Sequence, residues 1–149
     1  MSDVTVTAAR SLDAGAIGEV LSATNDQMPW MPRVHSAAEE IKYAGDMIDA
    51  GWVRVAHLEG RIVGFIARDQ MQVHALYVSP DVQNQGVGTA LLDDAKAQCN
   101  ELRLWSYQAN LPATRFYASR GFAELERTDG SGNDAGLPDI HFEWRKDGS

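Results

Sequence analysis

The residues best placed to do chemistry cluster in the middle of the chain. Gln83-Asn84-Gln85-Gly86-Val87-Gly88 falls between a strand-like apolar run and a helical pattern. Glycine lacks a Cβ, so backbone there can approach a ligand closely. The first N–H groups of the following helix have no partner within the helix, and the positive end of its dipole lies among them. Together these make an anion site suited to phosphate, although the same residues also suit a plain tight turn. Spacing excludes two nucleotide motifs: no Gly-Lys-Ser/Thr closes the loop, and Leu91 stands where a dinucleotide fingerprint needs its third glycine. Near the loop are His74, in Val73-His74-Ala75-Leu76-Tyr77-Val78, then Asn110, then Phe116-Tyr117 followed by Gly121-Phe122. An imidazole has an unperturbed pKa of ~6.5 and accepts a proton near neutrality. The plainer reading of His74 is a hydrogen-bonded sheet residue, and that of Tyr117 is an aromatic core position. His57 reads as structural or exposed. Cys99, on the apolar side of a helix pattern, reads as core and not as a nucleophile. A lone cysteine forms neither an intramolecular disulfide nor a multi-cysteine zinc site, and no His/Cys/Asp set has metal-ligand spacing, so no metal is expected.

The elements that would position these residues follow from periodicity and punctuation. Thr5 to Ala9 alternates as a strand, and Ile17, Val20 and Leu21 predict a helix over about 13–22. Pro29 and Pro32 bound a stiff loop. Ser36 with Glu39 forms a capping-box pattern and opens a helix ending near Gly51. Residues 52–58 and 62–68 predict a hairpin about Gly60, and 73–78 a further strand. A helix over 86–99 and a short strand over 102–105 come next. Asn110-Leu111-Pro112 starts a helix that Gly121 stops, and 122–127 and 140–144 are the last strands. The predicted fold is α/β, a mixed sheet flanked by about four helices, in one domain spanning 1–149.

Composition narrows the function classes. The chain has 149 residues, of which 44% are hydrophobic and 23% charged, an ordinary globular balance. Its formal net charge of −8 argues against a nucleic-acid partner. The acid excess belongs to the two ends of the chain, which fits either plain solubility or an acidic surface receiving a cationic substrate. Apolar runs are far too short to span a membrane, and the first residues lack a signal-peptide pattern, so a cytoplasmic location is expected.

The strand, the glycine loop, Asn110 and Phe116-Tyr117…Gly121-Phe122 together resemble the GNAT superfamily of acyl-coenzyme A N-acyltransferases. That resemblance implies a mostly antiparallel sheet flanked by helices, and acetyl-CoA as co-substrate. It implies that Leu76, Tyr77 and Val78 pair with the pantetheine arm. Gln83, Asn84, Gln85, Gly86, Val87 and Gly88, with Thr89 beside them, would hold the pyrophosphate. Asn110 would contact pantetheine or stabilise a split between strands, and Tyr117 would protonate the leaving thiolate. Many members carry a Glu on the strand before the Asn; here Trp105 takes that place and cannot act as a base.

Acetyl transfer needs a neutral amine, yet a free alkylamine has a pKa near ~10.4, so a proton must be removed. The His-Ala-Leu run is similar to that of arylalkylamine N-acetyltransferases and makes His74 the candidate base, with a water chain as the alternative. In this fold the acceptor side implicates Trp30, Met31, Arg33 and His35, and the last loop with Asn133 and Asp134. Trp30 and Met31 would wall an apolar amine or staple the loop to the core. Arg33 could hold a carboxylate. The expected activity is direct N-acetylation of a small-molecule amine; the alternatives are a protein or peptide acceptor and a non-catalytic CoA-binding module. A homodimer stays open.

Overall fold

The computed structural model describes residues 4–28, 36–83, 85–133 and 135–146. The Thr-Val alternation gives an edge strand, β1 (Thr5–Ala8), antiparallel to β2 (Val53–Leu58). Glu59 and Gly60, at φ 53° and 78°, form the tight turn into β3 (Arg61–Asp69), which runs antiparallel to β4 (Gln72–Val78). With β5 (Glu101–Tyr107), β6 (Ala123–Thr128) and β7 (Asp139–Arg145) the sheet has seven strands in the order β1-β2-β3-β4-β5-β7-β6. Every neighbouring pair is antiparallel except β4 and β5. That parallel pair needs a crossover, supplied by the helix α3 (Val87–Lys96). The architecture is the expected mixed, mostly antiparallel sheet with four α-helices.

The helices divide between the two faces. α1 (Ala14–Asp26) and α2 (Ala37–Asp49) cover β2, β3 and β4, burying Ile17, Leu21, Ala44 and Met47 against Val55, Phe65 and Ala75. α3 and α4 (Leu111–Ser119) cover the other face, where Val87, Leu91 and Leu92 meet Val63, Leu102, Leu104 and Phe142. The predicted capping box opens α2: the Ser36 Oγ accepts from Glu39 N at 3.2 Å and the Glu39 carboxylate accepts from Ser36 N at 3.1 Å. Arg54 on β2 grips Asp94 on α3 through two hydrogen bonds of 2.8 and 3.1 Å.

Three boundaries differ from expectation. α1 continues past Ser22 because its last turn is held by α2: Asn25 Nδ2 donates to the Glu40 carboxylate at 3.3 Å. β5 runs to Tyr107 because β7 pairs with it along its whole length. α3 stops at Lys96, so Cys99 lies in the turn beyond the helix, half-buried, its Sγ accepting from the Arg68 guanidinium at 2.9 Å. The proline-bounded loop lies outside the described residues.

Gly64 on β3 stands at a close approach of β3 to both β4 and α3. A Cβ there would lie 2.8 Å from the Tyr77 carbonyl oxygen and 3.2 Å from Val87 Cγ1. Gly64→Ala should therefore destabilise the protein by about 1–3 kcal/mol, the usual cost of overpacking. Urea unfolding midpoints of the two proteins check this.

Candidate active site

The site begins where the sheet opens. β4 and β5 pair only at Gln72–Arg103 and Val73–Leu104. Beyond that point each strand keeps its other neighbour: β4 pairs with β3 up to Val78, and β5 pairs with β7 up to Tyr107. The two strands therefore part, and a cleft of about 690 Å³ occupies the gap.

A bulge marks the start of the split. Ala75 pairs with Ala67 and Val73 with the next residue, Arg68, so His74 is an extra residue on β4. A bulge breaks the alternation of a strand and re-aims side chains. Val73 packs into the α3/α4 cluster, whereas Ala75, two residues on, packs into the α1/α2 cluster. His74 is exposed, lines the cleft, and stacks on Trp52 with ring centroids 4.7 Å apart.

At the mouth, Gly86 takes a left-handed conformation (φ 85°) that favours glycine, and α3 begins directly after it without a side-chain cap. The N–H groups of Val87, Gly88 and Thr89 thus begin a helix in residues that line the cleft. Gly88 allows a close approach: a Cβ there would be 3.2 Å from the Phe116 ring. The N-terminus of α4 faces the same space. Asn110 Oδ1 accepts from Ala113 N at 3.3 Å and caps the helix. Tyr117, 8% exposed, also lines the cleft and meets Phe116 and Phe122 edge to face.

The end of α1 and the residues just after it cross the opening with Thr24, Gln27 and Met28. The amides of Gln27 and Gln83 pair reciprocally at 3.3 and 3.2 Å, and Gln83 Nε2 also donates to the Val78 carbonyl at 3.2 Å. Asn110 Nδ2 reaches Met28 Sδ at 3.7 Å. Burial, reinforced by Tyr107, Tyr43 and Glu40, pushes the Tyr77 phenol up to about 12. Burial, with Tyr77 adding, raises Tyr117 further above the usual phenol range.

The cleft gathers His74, Leu76, Tyr77, Val78, Gln83, Gly86, Val87, Gly88, Thr89, Asn110 and Tyr117. It does not gather Gln85 or Asn133. Asn133 braces its own loop, donating to the Leu137 carbonyl at 2.8 Å and to Asp139 at 3.0 Å. Trp30, Met31, Arg33, His35, Asn84 and Asp134 lie outside the described residues. Sequence reasoning missed Gln27, Met28, Phe116 and Arg120 as lining residues. None of the described lining residues carries a carboxylate, so the acidity of the chain is not concentrated in the cleft. Trp105, 44% exposed, also lines the cleft and stacks flat on His141, with centroids 4.2 Å apart.

Residues 49–124 match the Acetyltransferase (GNAT) domain family. The chain belongs to the GNAT acetyltransferases. It is 31% identical over 102 residues to an uncharacterized N-acetyltransferase of Archaeoglobus fulgidus, spanning 58% of this chain and 69% of that one. It is 32% identical over 65 residues to the peptidyl-lysine N-acetyltransferase YiaC of Escherichia coli, spanning 43% of this chain and 44% of that protein. The fold of yncA from Salmonella typhimurium, solved with its cofactor acetyl-CoA, superposes with a TM-score of 0.75 at 20% identity, covering 97% of this chain and 95% of that one. This GNAT protein is therefore an N-acetyltransferase that acts on an acceptor substrate. Among the described residues no helix is long and apolar enough to cross a membrane.

The raised phenols of this acetyltransferase have a consequence for stability. In the unfolded chain tyrosines ionise near ~10, while the fold keeps Tyr77 protonated up to about 12. In that window the folded state binds more protons than the unfolded state, so stability falls as pH rises. Tyr77→Phe removes one such group, and its melting temperature should fall less steeply than that of the wild type between about pH 10 and 12. Thermal melts across that range decide it, and parallel slopes would contradict the assignment.

Proposed function

We propose that this acetyltransferase moves an acetyl group from acetyl-CoA directly to the primary amine of a small molecule. The observation that carries the reading is the parting of β4 and β5 with the first N–H groups of α3 at its mouth. The exposed edges of Leu76, Tyr77 and Val78 suit an extended pantetheine arm. The Val87, Gly88 and Thr89 amides suit a pyrophosphate, with the Arg120 side chain also in the lining. The likeness in fold to yncA, solved with acetyl-CoA, supports the same donor here. The sheet and its helices read as one acetyltransferase domain.

In this reading acetyl-CoA is a substrate that supplies an acetyl thioester. As the amine nitrogen bonds to the carbonyl carbon and the C–S bond breaks, two protons must be handled. His74, exposed at the bulge, takes the proton leaving the amine, directly or through water. Tyr117 gives its phenolic proton to the departing sulfur and recovers one from solvent. A phenol with its ordinary pKa of ~10 is already protonated at neutral pH, as a proton donor must be, and burial raises it further. A second reading, acetylation of protein lysine, is supported by the partial likeness to YiaC.

Tyr117→Phe tests the donor role. Turnover, followed as thiol release, should fall by about 10²-fold or more while acetyl-CoA affinity stays near that of the wild type. Unchanged turnover where chemistry limits the rate removes Tyr117 from the mechanism.

His74→Gln tests the base. Activity of the wild type should rise with pH, because a general base must be in its neutral form to accept the proton. The variant cannot titrate, so its low-pH limb should shift or vanish and its maximal rate should drop. Profiles that overlay would assign the limb to the substrate amine or to water.

A further inference from the structure

The α1/α2 face of the sheet carries two ring stacks on either side of the split. On β4 His74 is backed by Trp52, their rings within 19° of parallel. On β5 Trp105 is backed by His141, its direct cross-strand partner on β7, with the planes 2° apart. The His141 ring lies against the indole, and among the described residues its enclosed Nε2 has no hydrogen-bond partner. Leu104 packs into the α3/α4 cluster, so its neighbour Trp105 points to the opposite face, where Trp52 also packs. His141 covers one face of the indole from the β7 side. The other face is therefore turned toward β4 and the cleft that Trp105 lines.

Val73–Leu104 is the last paired position between β4 and β5, so His74 and Trp105 are the first residues to stand across the opening. An aromatic group exposed in a cleft and fixed by a ring behind it offers a preformed flat surface. The described lining holds no carboxylate that would favour a cationic body.

We propose that Trp105 determines acceptor specificity, seating a flat aromatic body on its open indole face with the amine turned toward His74. This rests on the acetyltransferase reading above and narrows its acceptor to amines carrying an aryl group.

The test compares 2-phenylethylamine with 2-cyclohexylethylamine, matched in length and differing in planarity, and with an Nα-acetylated lysine amide. For the wild type, kcat/KM should favour the phenyl compound over both others by roughly fivefold to tenfold, the scale of aromatic pairing. Trp105→Leu should bring the phenyl-to-cyclohexyl ratio close to one, and Trp105→Phe should retain most of the preference. A wild-type ratio near one, a preference for lysine, or a ratio that survives Trp105→Leu overturns the assignment. Calorimetric titration of both amines into the CoA-saturated protein reads the same ratio without turnover. Trp105-dependent aryl binding with no acetyl transfer would support the platform and overturn the catalytic reading. Transfer without aryl preference would overturn the platform alone.

Discussion

The arrangement of the site depends on one competition for backbone hydrogen bonds. β4 is held by β3 as far as Val78, and β5 is held by β7 as far as Tyr107. Neither strand can turn toward the other without giving up an antiparallel ladder already made. Their own parallel ladder therefore stops after two residue pairs. A buried backbone group must find a partner, and inside this sheet the edges beyond Val73 and Leu104 face a cleft and not another strand. The gap is a product of pairing on both flanks.

The bulge at His74 sets what faces that gap. With strict alternation, Val73 and Ala75 would share a face; the extra residue puts them in different clusters. His74 is thereby freed from both cores and placed at the point where the strands separate. The helices then divide the surroundings. α3 and α4 bring a helix start, Tyr117 and Arg120 from one side, while the segment that leaves α1 brings Gln27 and Met28 from the other. The described lining is thus drawn from helices on both faces of the sheet.

Much of this was legible in the sequence where the signal is local. The Ser36–Glu39 box, the helix start at Gly86, the Asn110 cap and the Glu59-Gly60 turn each follow from the chemistry of a few neighbouring residues. Features that depend on register were not legible. Val73 to Val78 reads as an unbroken strand, and only its pairing with β3 shows that His74 is supernumerary. Trp105 was recognised as unable to serve as a base, yet its stack on His141 arises from strand pairing across 36 positions of sequence. Asn133 looked like a loop residue free to meet a ligand, but its amide is spent on Leu137 and Asp139. Gln27 gave no signal at all, because its partner Gln83 lies 56 residues away.

That Gln27–Gln83 contact differs in kind from the ion pairs that join distant elements. Arg54–Asp94 and Arg61–Asp81 join elements by opposite charges, which dissolved salt screens at exposed positions and acid neutralises. A pair of carboxamides has no charge to screen and no proton to lose in the ordinary pH range. The tie between the end of α1 and the glycine loop is accordingly indifferent to ionic strength and acidity. One fastening across the mouth is thus set by neither salt nor pH.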